Sequence, residues 1–466
     1  MHHVVSPNCG ITSRTKEFEE EMMFEHLDDP APPEATARTL GAVLARAARL
    51  RRRRATSALG GVVVGALALG VVIGVVVSGP PRSQTFAAFE SESGLLATGT
   101  PVPSSDLASV VFVGDLHGFA LVVHGTQTLL AVSVDGGDTW TVADPSLPVS
   151  FPAQFEFSDT GHGYLWGGPP SATGTVALWV TSDGGRSWAR AGLGPVVSDV
   201  SAVGPDVWAV VGTCPIRPLA GPACPVVLEV STDNGQTWTG AGAAPPLSEN
   251  AEVTVSDENI ELARITRARA YVLTFAAEAG APGVTGSLTY TADGGQTWAS
   301  RPDPCPPYFD FGEQIAASGT ADLWMICASQ ASAGTQAKAL YRSSDGGAQW
   351  SLAAAANAPV LTGGSVLGAA GGLPTGGYVT PYSLGHENLA VLSATGAWLF
   401  PDRSGVYETT DGGKTWGVVA GLVEAGLVAG GTGNVVFADA THGWVCETGT
   451  GLWRTTDGRN WQRLGQ

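Results

Sequence analysis

Seven near-identical octets limit what this chain can fold into. They read SVDGGDTW (133–140), TSDGGRSW (181–188), STDNGQTW (231–238), TADGGQTW (291–298), SSDGGAQW (343–350), TTDGGKTW (409–416) and a shortened TTDGRNW (455–461). Their aspartates, Asp135, Asp183, Asp233, Asp293, Asp345, Asp411 and Asp457, are 48, 50, 60, 52, 66 and 46 residues apart. That period holds one supersecondary unit and no more, so the outer part of the chain is an array of units that cannot bury their faces alone.

A second, weaker repeat keeps the same register. Before each octet, after a turn, an aromatic stands in an apolar run: Phe119 in HGFALV, Tyr164 in HGYLW, Trp208 in DVWAVV, Tyr271 in RAYVLTF, Trp324 in DLWMIC, Trp398 in GAWLF and Trp444 in HGWVC. Upstream again lies a short apolar run such as SVVFVG or NVVFAD. Each unit therefore reads strand, turn, strand, loop, strand, octet, strand, which predicts seven sheets of four antiparallel strands. Within the octet the Asp carboxylate is placed to accept main-chain N–H bonds, the glycines supply positive φ, and the Trp opens the outgoing strand.

These octets resemble the Asp-box, or bacterial neuraminidase repeat, and residues 106–466 resemble the Asp-box β-propeller families. The resemblance implies an all-β, seven-bladed propeller in which each box caps the turn between the third and fourth strand of a blade. In type it is most similar to the photosystem II stability/assembly factor-like propellers, whose name covers many bacterial proteins with no photosystem. That likeness implies an assembly-factor style of function. The founding members use a basic surface patch that this chain mostly lacks.

Charge separates the chain into two parts. Residues 1–54 carry nine Arg and Lys against eight Asp and Glu, leaving 15 against 34 beyond, a net −19 for the remainder. Such a field repels phosphate backbones and anionic membrane surfaces, which argues against nucleic-acid binding. Between the two parts runs ALGGVVVGALALGVVIGVVV (58–77), an uncharged stretch long enough to cross a bilayer as a helix. A cleaved signal peptide is the competing reading, opposed by the 54 residues before residue 55 and by the length of the apolar run. Arg46, Arg49 and Arg51 to Arg54 precede the run and a lone Arg82 follows it, so the N-terminus is expected in the cytoplasm and the remainder outside. The expected organisation is a cytoplasmic segment 1–54 with a helix near 34–54, a membrane helix 55–78, a linker 79–105 and a propeller 106–466.

Cysteine usage agrees with an oxidising compartment for the outer part. Cys214 and Cys224 flank a Pro-rich loop in blade 3, and Cys305 and Cys327 bracket the inner strand of blade 5, so two local disulfides are expected. Cys446 is left over as a buried thiol, and Cys9 lies on the reducing side.

The recurring aspartates read as scaffold, since the turn uses each carboxylate and no ladder of calcium ligands ending in Glu accompanies it. His117, His162 and His442 occupy equivalent places in blades 1, 2 and 7, so a ring keeps them too far apart for one zinc ion. No G-x-S-x-G stands in the chain. Sialidases share the boxes but add an Arg triad and an early Arg-Ile-Pro motif, whereas the nearest match here, Arg264-Ile265-Thr266, lies in blade 4. The xyloglucanase-like glycosidases face two rings across a cleft, and this chain holds one. No catalytic, cofactor or metal residue is therefore assigned. Function is expected on departures from the repeat: the loop from Cys214 to Cys224, Gly280 to Gly286, and the stretch from Ala356 to Glu387 with Tyr378 and Tyr382. Arg264, Arg267 and Arg269 form the one basic cluster of the outer region and a candidate partner contact. The expected partner is a protein outside the membrane, with a cell-envelope glycan, bound or cleaved, as the alternative.

Overall fold

The computed structural model describes residues 96–465 apart from 126, 152, 169–174, 214–225, 243–244, 246–259, 277–284, 307, 310–311, 332–335, 358–371, 380–387 and 429. The segments 1–54 and 55–78 and residues 79–95 of the linker lie outside the described residues, as do Tyr382, Cys214 and Cys224. No helix among the described residues is long and apolar enough to cross a membrane.

Seven four-stranded antiparallel sheets make up the described chain, each built from four consecutive strands in simple up-and-down order. These are the seven blades of a β-propeller. The innermost strands are Leu107–Val113, Ala153–Phe157, Val196–Val203, Ile260–Arg264, Gly312–Ala317, Leu389–Val391 and Gly433–Phe437. Each second strand is buried almost throughout and carries the aromatic of the second repeat; Tyr164, Trp208, Tyr271, Trp324 and Trp444 are at most 2% exposed. Apolar residues fill the spaces between adjacent sheets, so core clusters span neighbouring blades and no blade has a core of its own.

Every octet joins the third strand of its blade to the fourth, and its geometry explains its composition. In blade 6, Asp411 Oδ1 accepts from the N–H groups of Lys414 and Thr415 at 3.0 Å, and Thr415 Oγ1 donates to Oδ2 at 2.6 Å. Thr409, the first residue of that octet, donates its hydroxyl to Asp411 at 2.9 Å and accepts from Gly413 N at 3.0 Å. Both glycines have φ near +80°. The same Ser/Thr-to-Asp bond recurs in all seven blades, from Ser133, Thr181, Ser231, Thr291, Ser343, Thr409 and Thr455. The bonds that Thr237, Thr297 and Thr415 make to Asp233, Asp293 and Asp411 hold those carboxyls down at about 2. Their contribution to stability is present above the ordinary carboxylate range and is lost as pH falls from about 4 toward 2.

The two repeats meet across the blade interfaces. Trp444 of blade 7 donates its indole N–H to Gly136 O in the blade 1 octet at 2.9 Å. Tyr271 of blade 4 donates to Gly346 O in the blade 5 octet at 3.1 Å, joined there by Arg301. Arg342 of blade 5 stacks on Trp324 and donates to Gly412 O of blade 6 at 3.0 Å. The second octet glycine is the place where this contact leaves no room for a side chain: a Cβ on Gly413 would run into Leu340 and Trp324 of blade 5.

Among the described residues, ring closure follows the same pattern, with no strand exchanged between blades. Blades 1 and 7 are each complete in four consecutive strands. Arg454 of blade 7 donates to Asp135 O and Gly136 O and pairs with Asp138 at 3.1 Å. Asn434 Nδ2 donates to Val110 O at 2.7 Å, Thr448 donates to Ala108 O at 2.8 Å, and Trp444 stacks on Phe112. Residues 99–102 pair with the outer strand of blade 1 through Gly99 N to Val142 O and Val102 N to Trp140 O, and Ser104 ties that segment to Leu464 O.

Replacing Gly413 with Ala costs stability twice, through its left-handed φ and through overpacking against blade 5. A loss of roughly 2–4 kcal/mol is expected from urea unfolding. Gly417, with open space at its Cβ position, is the control; its Ala variant stays within about 0.5 kcal/mol of the parent.

Candidate functional site

The inner strands enclose a central cavity of about 640 Å³, to which all seven blades contribute. One register position is polar on six of the inner strands, Ser109, Gln154, Asp199, Glu261, Gln314 and Asn434, and Asn388 takes the matching place just before the inner strand of blade 6. Six of these stand opposite Leu121, Trp166, Val210, Leu273, Ile326 and Cys446, two residues past the aromatic of the second strand. Asn388 bonds Phe400, at the same offset from Trp398. The ring latches blade to blade. Asp199 accepts from Leu262 N at 2.7 Å, Glu261 from Ile315 N at 3.1 Å, and Asn434 from Val110 N at 3.4 Å, each across to the following blade. Glu156 does the same from the next layer, accepting from Ala202 N at 3.2 Å. An inner strand has no further strand beyond it, so these side chains meet N–H groups that a ladder would otherwise satisfy.

The strand order divides the connections between two faces. The turns between first and second strands and all seven octets lie on one face, since alternate ends of an antiparallel meander point the same way. The connections between second and third strands, and those from one blade to the next, lie on the other. The turn face is uniform. His162 and His442 sit there, each with Nδ1 2.8 Å from the carboxylate of Asp159 or Asp439, and His117 occupies the equivalent register in blade 1. The strands that flank the longest connections end or begin at the opposite face: at Gly212 and Val226, Gly240 and Ile260, Ala276 and Thr285, Arg301 and Gly312, Ala328 and Lys338, Ala356 and Leu389, and Val418 and Gly433. The three departures from the repeat singled out in the sequence fall at and between such strand ends, and residues 214–224, 280–284, 358–371 and 380–387 of them lie outside the described residues.

The basic cluster is drawn into the blade interfaces. Arg264 lies over Trp208 at 4.4 Å and donates to Ser201 O and Asp206 O of blade 3. Burial lowers its guanidinium to about 10. Arg267 pairs with Asp206 at 2.8 Å and is 64% exposed, while Arg269 donates to Thr320 O of blade 5. Tyr378 belongs to a described stretch, 372–379, pinned on the long-connection face. It exchanges backbone bonds with Asp402; Gln336 bonds both backbone groups of Val379, and the buried Lys338 donates to Gly376 O and Gly377 O. Burial lowers the Lys338 ammonium to about 8.

Cys305 and Cys327 form the disulfide expected from their placement, and Cys446 is a buried free thiol, pushed up to about 12 by burial. Beside the disulfide lies a pair that sequence reading did not find. Asp303 and Glu313 are hydrogen-bonded to each other, and burial first, then the neighbouring charge, raises Glu313 well above the usual carboxylate range. Among the described residues, the oxygens of Asp303 and Glu313 and the Cys305 sulfur make the one group of potential metal-binding atoms that lie within 4.8 Å of one another. The sulfur is committed to the disulfide. The two acids are ten residues apart on either side of a blade connection, and neither belongs to a recognisable motif.

A raised carboxyl costs stability as pH climbs above its unfolded value, because the unfolded chain sheds the proton first. Glu313→Gln removes that cost while keeping a donor for Asp303. The variant is therefore expected to raise the melting temperature at pH 7–8 and to leave it nearly unchanged at pH 4, read by thermal unfolding across pH.

Among solved structures, the chain is similar in fold to YCF48 from Cyanidioschyzon merolae, with 17% identity, a TM-score of 0.46, and coverage of 77% of this chain and 98% of that one. A YCF48 bound to D1 peptide gives 16%, 0.44, 77% and 97%. The GH74 xyloglucanase from Xanthomonas campestris gives 16%, 0.48, 79% and 55%. No family model matches the chain, and no curated protein does. At these identities the likeness concerns the fold alone.

Proposed function

We propose that this chain is a single-pass membrane protein, with its N-terminus in the cytoplasm, whose outer propeller is a protein-binding or assembly scaffold. The observation that carries the reading is the division between faces. The turn face repeats one geometry seven times and spends its carboxylates on its own backbone. The long connections all start and end at the opposite face, and recognition on rigid repeat scaffolds is built from such segments. The apolar run 58–77, with its flanking arginines, supports an anchor that holds this propeller outside the membrane. The octets support placing the chain among the Asp-box propellers, and its assembly-factor style of function is carried over from that resemblance without the photosystem.

Electrostatics narrow the partner. An outer region at net −19 disfavours acidic surfaces, so the partner face is expected to be neutral or basic. The carboxylates on the cavity wall, Glu156, Asp199 and Glu261, each hold a backbone N–H of the neighbouring blade. That use favours scaffold over the alternative of a glycan-cleaving site.

Two sets of exposed apolar residues separate the faces experimentally. Leu116 and Val134 lie on the turn face; Tyr308 and Val428 lie on the connection face. In a crosslinked pull-down of the full-length protein from its own membranes, Tyr308→Arg with Val428→Arg is expected to cut recovery of the specific partner about tenfold or more. Leu116→Arg with Val134→Arg is expected to leave it. The reverse pattern, or a partner recovered equally without residues 106–466, contradicts the proposal.

A further inference from the structure

We infer that the Cys305–Cys327 disulfide caps a latent metal site, and that opening it creates a Cys₂–carboxylate₂ set for a divalent borderline ion such as zinc. The inference is independent of the scaffold reading. Two thiolates and two carboxylates are a chemically suitable tetrahedral donor set for zinc.

The placement brings three of the four groups to one point, and the fourth, Cys327, is tied to them through Cys305 and Glu313. Glu313 begins the inner strand of blade 5 and stands directly opposite Cys327 on the second strand. Cys305 reaches Cys327 from the connection that precedes the blade, with 5.7 Å between their Cα atoms. Asp303 lies two residues before Cys305 and turns back to accept its N–H at 2.9 Å. The carboxylate oxygens of Asp303 and Glu313 and the Cys305 sulfur are within 4.8 Å of one another. Glu313 is 1% exposed, and apart from the bond its carboxyl shares with Asp303 its Oε2 meets no donor of the protein. A buried acceptor left without a donor is the uncommon case in a native core, and a cation supplies what it lacks.

A dithiol reductant transfers two electrons and two protons to the disulfide; the S–S bond breaks, two thiols form, and the dithiol is oxidised to its own disulfide. Zn²⁺ then displaces the protons of both thiols and the one shared by Asp303 and Glu313, leaving two thiolates and two carboxylates on the metal. In the oxidised protein both sulfurs are bonded to each other, and the ion has only the carboxyl pair to hold.

Cobalt(II) titration of the full-length protein in detergent micelles tests this, because a thiolate-bound cobalt ion announces itself by a sulfur-to-metal charge-transfer band. Cys214→Ser with Cys224→Ser is the background, so that those thiols contribute nothing. The reduced protein is expected to develop the band at one equivalent and to lose it on addition of zinc; the oxidised protein is expected to show none. Glu313→Gln, whose folding is checked by the thermal unfolding described above, is expected to weaken cobalt binding about tenfold or more while keeping the band at high metal. Cys305→Ser is expected to abolish the stoichiometric band. A reduced protein without the band, or one whose affinity is unmoved by Glu313→Gln and Asp303→Asn, overturns the inference.

Discussion

The ring depends on one contact repeated around it: a large side chain from one blade seated on the octet of the next. A four-stranded sheet buries neither face alone, and the propeller solves this by letting each blade be its neighbour's cover. The octet makes that cover possible. In five of the seven, two glycines turn the chain tightly enough that no side chain stands between the turn and the incoming Trp, Tyr or Leu, and the turn's carbonyls are left to accept an indole, phenol or guanidinium proton. Trp444, Tyr271, Arg342 and Arg454 all spend their donors in this way. Closure between blades 7 and 1 uses the same parts as the other interfaces, with Asn434 and residues 99–104 added.

A second tier of latches surrounds the central cavity. Six of the seven polar positions line the cavity, where the last ladder N–H groups of the neighbouring blade lack strand partners. Charged and amide side chains at this level cost less than they would in a closed core, because they line a cavity and carry hydrogen bonds. The cavity is thus a seam that joins the blades before it is a place for a ligand, and that is why the connection face, and not the axis, is where the proposed partner is received.

Much of this was legible from the octets. Their count gave the number of blades, their aspartates gave the turn, and Cys305 with Cys327 gave the disulfide. The role of the first octet residue was not read, although every octet begins with Ser or Thr: a hydroxyl that both donates to Asp and accepts from Gly is visible only once the turn is folded. The polar ring was hidden because one Gln, Asp or Asn in a short apolar run looks like ordinary strand alternation. Arg264, Arg267 and Arg269 looked like a surface cluster because they are close in sequence, yet Arg264 and Arg269 reach blades on opposite sides of their own. Asp303 and Glu313 were missed for the converse reason, since only the crossing from blade 4 to blade 5 brings them together.

The most direct test of the account is native-state hydrogen exchange at the octet glycine amides that bond the Ser or Thr hydroxyl, Gly137, Gly185, Gly235, Gly295, Gly347 and Gly413. If each blade is stabilised only through its neighbours, all six exchange with the free energy of global unfolding. Trp444→Phe, which removes one interlock at the closure, then lowers all six by the same amount. Exchange that falls only at Gly137, beside the altered interface, while distant blades keep their protection, would contradict a single cooperative ring.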